Sequence, residues 1–222
     1  MTHTVTIIGA GGIGSNLFCS LVPAIHRGDL LQQLREVVVR IHDSDRVSGE
    51  NLAHQRFLPS DVGSHKVEAA CAAMREFESN RLRVVPVPRD VREPSDIEPS
   101  DLVVVAVDST VARRVVHKST EIWLDLRCSG DGYIAIDHRV GGGTVESLTV
   151  DQPPKSCQLH GSIANGNIQF GYLAAAAHGA QWVLQSLRGI AGEEESMQPF
   201  PQSSSISFGT LGRLGLEQET QV

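Results

Sequence analysis

The sequence has few cysteines and no long apolar run. Four cysteines occur among its 222 residues and none lies in a CxxC pair, so we do not expect a structural zinc site. No apolar stretch approaches the roughly 18 residues that a membrane-spanning helix needs. The first strand is predicted to begin at residue 5, which leaves no room for a signal peptide. We therefore expect a cytoplasmic chain with free thiols and no membrane partner.

The sequence also has fewer basic residues than acidic residues. The chain has 19 lysines and arginines against 26 aspartates and glutamates, a formal net charge of -7, so we do not expect a nucleic-acid partner. The length fits one domain, with or without an appendage. We predict a main domain over residues 1–192, a polar linker over 193–204, and a C-terminal tail or edge strand over 205–222.

A glycine-rich turn follows the first predicted strand. Residues 5–15 read VTIIGAGGIGS, an apolar stretch that leads into glycines at GxGxxG spacing and then into a helix. Such a turn aims backbone N–H groups and the positive end of a helix at an anion, and glycine lets a phosphate approach closely. No Lys-Ser or Lys-Thr follows, so this is not a Walker loop. The predicted nucleotide-binding residues here are Gly9, Gly11, Gly12 and Gly14, and the alternative is a glycine-rich turn without a ligand.

The other apolar stretches predict further strands and helices. Strands are predicted over residues 5–8, 37–41, 82–87, 102–107 and 122–126, with an antiparallel pair over 133–137 and 145–150. Helices are predicted over residues 15–24, 67–78 and 167–187, with a shorter helical piece within 26–35. This order predicts an α/β fold with a Rossmann-like, doubly wound, mostly parallel sheet that is extended by antiparallel strands.

Residues 43–66, DSDRVSGENLAHQRFLPSDVGSHK, carry the most specific pattern. They resemble the ThiF/MoeB/HesA superfamily, whose fold is shared with ubiquitin-activating enzymes. The pattern of that superfamily is D-x-D-x-V-x-x-x-N-L-x-R-Q, followed after a short gap by G-x-x-K. The family's arginine before the glutamine is His54 here, and Arg56 lies two positions further on. The matching positions are Asp43, Asp45, Val47, Asn51, Leu52, Gln55, Gly63 and Lys66.

Two later stretches extend the resemblance to about residues 5–190. Residues 108–113, DSTVAR, are similar to the family's D-N-x-x-x-R and follow a predicted apolar strand. Ser156 and Cys157 match a T-C pair that precedes a long helix in the family. A carboxylate at the carboxyl edge of a sheet suits magnesium, which takes one or two such ligands beside phosphates. Asp108 would equally serve as a helix N-cap.

The resemblance implies an enzyme that uses ATP and Mg²⁺ to adenylate the C-terminal glycine of a small ubiquitin-like or sulfur-carrier protein. The activated acyl group would then pass to a cysteine as a thioester. The family's dimer-forming region resembles the predicted helix over residues 167–187, so a homodimer is expected. The residues implied are Asp43 for the ribose, Asn51, Gln55 and Lys66 for the phosphates, Asp108 for magnesium, Asp45 and Arg113 for the pocket wall, and Cys157 for the acyl group.

Several alternatives stay open at this stage. Either Arg56 or a protonated His54 could supply the cation that the family's arginine provides. Cys128 is a second, weaker candidate for the reactive thiol. The chain could also be a non-catalytic adaptor for a ubiquitin-like partner. A nicotinamide-dependent oxidoreductase is disfavoured, because Asp43 lies 34 residues after Gly9 and a dinucleotide site places its acid after about 20.

Overall fold

The computed structural model describes residues 1–151, 156–193 and 204–207. The strands in this part are β1 (Thr2–Ile8), β2 (Glu36–His42), β3 (Leu82–Val87), β4 (Leu102–Val105), β5 (Trp123–Ser129), β6 (Gly132–Asp137) and β7 (Ser204–Ser207). The α-helices are α1 (Gly12–His26), α2 (Leu30–Leu34), α3 (Lys66–Met74), α4 (Thr110–Ser119), α5 (Gly142–Leu148) and α6 (Gly171–Ile190).

These strands form one sheet in the order β3-β2-β1-β4-β5-β6-β7. β1 pairs in parallel with β2 and β4, and the parallel part continues outward to β3 and β5. The β5–β6 and β6–β7 pairs are antiparallel. The predicted Rossmann-like, mostly parallel sheet with an antiparallel extension is confirmed. Chain order reverses between β1 and β4, which opens a crevice at the carboxyl ends of these strands, where such sheets bind ligands.

Helices on both faces bury the sheet. On one face, α1, α3 and α6 enclose the larger core, in which Leu17, Phe18 and Trp182 are almost fully buried. On the other face, α4 packs on β4 and β5 through Ala112 and Val116. Every residue of β4 is buried, as expected of a central parallel strand. The carboxyl edge of the sheet is therefore a rigid platform for side chains.

The predicted strand over residues 145–150 is wrong. Gly142–Leu148 form α5, and Val145 and Leu148 pack against the smaller core cluster on the α4 face. Those two residues are three apart, a spacing that puts both on one face of a helix and here outweighs the strand propensity of the valines. The second antiparallel neighbour of β6 is β7, which comes from the C-terminal region.

Several helix boundaries also differ from the prediction. α1 continues through Pro23 to His26, although the proline removes one backbone donor. α3 ends at Met74 and gives way to a 3₁₀ turn, Arg75–Phe77. α6 begins at Gly171 instead of residue 167, because the residues before it form a loop in which the Gln158 Nε2 donates to the Gln169 carbonyl oxygen at 2.7 Å.

The predicted domain boundaries stay predictions. Most of the predicted linker, residues 194–203, and the tail after Ser207 lie outside the described residues. Ser204–Ser207 add a strand to the edge of the sheet through backbone pairing with β6. Among the described residues, every helix is too short or too polar to span a lipid bilayer.

Candidate functional site

The glycine turn between β1 and α1 forms the floor of the crevice. Gly9 has a φ of 106°, and its N–H donates to the carbonyl oxygen of His42 at 2.7 Å. A Cβ on Gly14 would lie 1.8 Å from the Gly9 carbonyl oxygen, so the first turn of α1 packs directly on the loop. A Cβ on Gly11 would point into open space. Gly9 and Gly14 therefore shape the turn, whereas Gly11 leaves it open to a ligand.

Asp43 ties this turn to the end of β2. Its Oδ2 accepts a hydrogen bond from the Ala10 N–H at 2.7 Å, and its Oδ1 accepts one from the Asp45 N–H at 2.9 Å. Burial raises the pKa of Asp43 above its usual value, and the charge of Lys66 opposes that rise. The carboxylate lines the crevice beside the glycines, where a ribose contact stays a prediction.

Lys66 and Asp45 form an ion pair in the same crevice. The Lys66 Nζ lies 2.8 Å from the Asp45 Oδ2, and the Lys66 N–H donates to the Asp45 carbonyl oxygen at 3.0 Å. The Lys66 side chain is 8% exposed, whereas the Asp45 side chain is 66% exposed. Asp45 thus holds a buried ammonium group at the crevice wall, and that group has N–H donors left for a phosphate.

Asp108 follows β4 and is exposed at the crevice. The side chain that caps α4 is not Asp108 but Ser109, whose Oγ accepts the Ala112 N–H at 3.3 Å. Within the described residues, no hydrogen bond or ion pair engages the Asp108 carboxylate. Both of its oxygens are therefore available to a ligand.

Arg113 is held by a buried network of charges. Its Nη1 pairs with the Asp125 Oδ1, and its Nη2 donates to the carbonyl oxygens of Val107 and Leu126. The Arg127 Nη2 lies 2.6 Å from the Asp125 Oδ2, and the His117 Nε2 lies 3.1 Å from the same oxygen. Burial and the neighbouring Arg127 lower the pKa of Arg113 to about 9, so Arg113 stays charged at neutral pH.

Cys157 and Cys128 lie together at the crevice wall. Each thiol is the strongest influence on the other, and their interaction lowers the pKa of Cys157 and raises the pKa of Cys128. The Cys157 carbonyl oxygen also accepts the Gly130 N–H at 2.9 Å. The structure therefore places both candidate thiols at the crevice wall, and the role of Cys157 as the acyl acceptor stays a prediction.

Only some of the predicted phosphate-binding residues between positions 51 and 56 line the crevice. Gln55 and His54 line the crevice. The Asn51 Oδ1 accepts the Ser48 N–H at 2.9 Å and so closes the 3₁₀ turn Gly49–Ala53, away from the crevice lining. Arg56 is exposed, and the crevice lining does not include its side chain. Phosphate contacts by Asn51 and Arg56 stay predictions that this geometry does not favour.

His54 is expected to be neutral at pH 7. Burial lowers its pKa below the usual 6.5, and the charge of Lys66 lowers it further. In an NMR titration the imidazole should protonate below its ordinary range, and nucleotide affinity should change little from about pH 7 to 8. An affinity that weakens steadily across that interval in the wild type, but not in His54→Arg, would show instead that protonated His54 binds the phosphates.

The crevice encloses a volume of about 580 Å³, which suits a nucleotide-sized ligand. The sequence did not identify the contribution of β5 and β6 to its wall, namely Leu126, Arg127, Ser129 and Tyr133. One available signal was the segment WLDLRC in β5, where charged residues alternate with buried leucines. Charges at alternate positions of a buried strand must find partners, as Asp125 and Arg127 do.

Comparisons with known proteins identify the family and the fold. The model of the ThiF family matches residues 2–208, and no curated protein sequence matches the chain. The crystal structure of E. coli MccB with ATP is similar at a TM-score of 0.59 and 15% identity, over 89% of this chain and 57% of that one. The structure of E. coli MccB with AMPCPP and MccA is similar at a TM-score of 0.57 and 16% identity, over 89% of this chain and 57% of that one. The structure of PaaA is similar at a TM-score of 0.59 and 16% identity, over 92% of this chain and 63% of that one.

The chain spans less than two thirds of the length of these structural relatives. Similarity at such low identity shows that they have the same fold. The family model, by contrast, matches nearly the whole sequence, including the glycine turn and the positions of Asp43, Lys66 and Asp108. The chain belongs to the ThiF family.

Proposed function

We propose that this protein uses ATP to adenylate a carboxylate at the C-terminus of a small protein or peptide. One observation carries the proposal. A single crevice brings together an open glycine turn, a buried lysine and a free carboxylate, which are Gly11, Lys66 and Asp108. These are an anion site, a fixed positive charge and a metal ligand, the three features that phosphate activation requires.

The nucleotide phosphates would lie against the turn and the amino end of α1. The first backbone N–H groups of a helix have no partner within it, and Gly12 and Ile13, the first two residues of α1, line the crevice. The Lys66 ammonium adds charge to this anion site, and Arg113, whose guanidinium pairs with Asp125, also lines the crevice. The substrate carboxylate would attack the α-phosphate, an acyl-adenylate would form and pyrophosphate would leave. The chain's contribution is to position the reactants and offset the phosphate charge.

Magnesium fits the Asp108 carboxylate. Mg²⁺ commonly takes one or two protein carboxylates together with substrate phosphates. Among the described residues no group of three or more His, Cys, Asp or Glu side chains could hold a metal, so a single free carboxylate beside a phosphate site is the arrangement present. Magnesium bound there would neutralise charge that develops on the phosphates.

The substrate that we favour is a small ubiquitin-like or sulfur-carrier protein that ends in glycine. Glycine at the end of the carrier would let its main chain approach the nucleotide closely. The structural relative MccB is known in crystals with the peptide MccA, which makes a short peptide the main competing substrate. In a second step, the Cys157 thiolate would attack the acyl carbon, a C–S bond would form, and the bond to AMP would break.

The decisive experiment is ATP–pyrophosphate exchange with radiolabelled pyrophosphate. The probes are carrier proteins that end in Gly-Gly, the same carriers without those two residues, and a short peptide with a free carboxyl end. We expect exchange with an intact carrier and none with the truncated one. Exchange with the peptide alone would move the substrate class to peptides. Carrier binding without exchange would indicate an adaptor, and NADH binding without ATP binding would indicate an oxidoreductase.

We also propose that the protein is cytoplasmic and forms a symmetric homodimer. A dimer is proposed because closed twofold assemblies are the commonest oligomers. α6 presents exposed Leu173 and Ile190, and Phe170 just before it is 52% exposed. Light scattering should give twice the 23.9 kDa mass of one chain. Phe170→Asp should shift that value toward the monomer, whereas an exposed residue elsewhere, Val111→Asp, should not. A monomer at every concentration would contradict the proposal.

A further inference from the structure

Two thiols from distant parts of the chain meet at the crevice wall. Cys128 belongs to β5, which is fixed in the sheet, and Cys157 belongs to the loop before α6. The Gly130 N–H donates to the Cys157 carbonyl oxygen at 2.9 Å, so the main chain of this loop is held beside the end of β5. Both side chains line the crevice and are partly exposed. Small oxidants in solvent can therefore reach them.

We propose that Cys128 and Cys157 are a modification site, at which a peroxide oxidises the pair to a reversible intramolecular disulfide. The Gly130–Cys157 backbone bond holds the loop beside the end of β5, and both cysteines line the same part of the fold, the crevice wall. The strong mutual effect of the two thiols on their pKa values agrees with this proximity, and a disulfide requires the sulfur atoms to close to about 2.05 Å. The bond would join the loop before α6 covalently to β5.

The chemistry balances with hydrogen peroxide as the oxidant. The Cys157 thiolate attacks one peroxide oxygen, the O–O bond breaks, and a sulfenic acid and a hydroxide form; the hydroxide takes up the proton that the Cys157 thiol released and leaves as water. The Cys128 sulfur then attacks the Cys157 sulfur, the S–O bond breaks, and a second water leaves. Two thiols lose two electrons and two protons, and the peroxide becomes two waters. A dithiol reductant reverses the reaction by thiol–disulfide exchange.

The other two cysteines provide an internal comparison. Cys19 in α1 and Cys71 in α3 both pack in or against the larger core. Burial raises the pKa of each, that of Cys71 to about 12, so neither carries much thiolate near neutral pH. They are outside the crevice lining, and the reaction should leave them reduced.

The consequence for catalysis rests on the proposed function, but the bond itself does not. If Cys157 is the acyl acceptor, the disulfide removes the nucleophile and blocks the thioester step. ATP–pyrophosphate exchange uses residues on other elements, so it should continue in the oxidised protein.

The test uses the reduced full-length protein without nucleotide. Hydrogen peroxide is added and then removed, the protein is denatured so that buried thiols become accessible, and remaining thiols are alkylated with iodoacetamide. Intact mass and non-reducing peptide maps are then recorded. We expect the loss of two hydrogen atoms, two alkylated thiols, and one cross-linked peptide pair containing residues 128 and 157. Dithiothreitol should restore four alkylated thiols. Cys128→Ser and Cys157→Ser should each abolish the cross-link, whereas Cys19→Ser should keep it.

Three results would overturn the proposal. They are four reactive thiols after oxidation, a cross-link that involves Cys19, Cys71 or a second chain, or a sulfinic acid on Cys157 in place of a disulfide. Circular dichroism of each serine variant separates loss of the fold from loss of the bond. Because no nucleotide or carrier is present, failure of this test is independent of the exchange experiment.

Discussion

Replacing Asp108 with asparagine is expected to lower ATP–pyrophosphate exchange by about 100-fold or more. The substitution keeps the shape of the side chain but removes the charge that would hold magnesium. A bound metal supplies several kcal/mol of charge stabilisation, and about 1.4 kcal/mol corresponds to a tenfold change in rate. The fold should survive, because the Asp108 carboxylate supports no hydrogen bond or ion pair among the described residues.

Ser109→Ala is the matched control for this variant. It removes the Ser109 Oγ that accepts the Ala112 N–H, and so weakens the start of α4 by about 1 kcal/mol, but it leaves the Asp108 charge in place. Exchange should fall far less than in Asp108→Asn. If Asp108→Asn exchanges pyrophosphate at the wild-type rate when magnesium is limiting, the metal is held elsewhere.

Asp125→Asn should produce the largest loss of stability, about 3–5 kcal/mol in the free energy of unfolding. The Asp125 side chain is fully buried and compensates Arg113 and Arg127. An amide of the same shape cannot neutralise them, so a guanidinium would stay buried without a counter-ion. For a chain of this size, such a loss lowers the melting temperature by roughly 10 °C. Urea denaturation followed by circular dichroism measures the change directly.

Asp151→Asn is the control for the charge change alone. Asp151 pairs with Arg114 at 2.9 Å, but its side chain is 75% exposed. An exposed pair contributes less than about 1 kcal/mol, so the unfolding midpoint should barely move. Equal effects of the two substitutions would mean that the Asp125 network is solvated and carries no special share of stability.

The parts of the site that follow a strand directly were predictable from the sequence. The turn after β1, Asp43 after β2 and Asp108 after β4 each come next to an apolar segment. Parallel strands bring their carboxyl ends to one edge of the sheet, so neighbours of those ends must converge. Lys66 was predicted as a site residue from its position in the family pattern. In the structure it lines the crevice, where its ammonium group pairs with Asp45.

The parts that depend on tertiary packing were not predictable in the same way. His54 and Arg56 lie two positions apart in the sequence. The path of the chain after the Gly49–Ala53 turn decides which of them lines the crevice. Cys128 and Cys157 are neighbours in the fold but far apart in the sequence, and neither helical nor strand periodicity predicts that they meet. α5 was missed because seven residues with three glycines nearby give too short a pattern to separate helix from strand.

The bonds from Asp43 and from the main chain of β2 to the glycine turn mean that the turn is preorganised. Ordering a backbone residue costs about 1–2 kcal/mol of conformational entropy. Here the entropy is lost when the protein folds, without any ligand. The Asp43 carboxylate accepts a hydrogen bond from the Ala10 N–H, and the His42 carbonyl oxygen accepts one from the Gly9 N–H. A nucleotide would therefore meet this part of its site in the binding shape, and the full contact energy with the turn would appear as affinity. Association at the turn should accordingly be a single fast step without a slower loop rearrangement behind it.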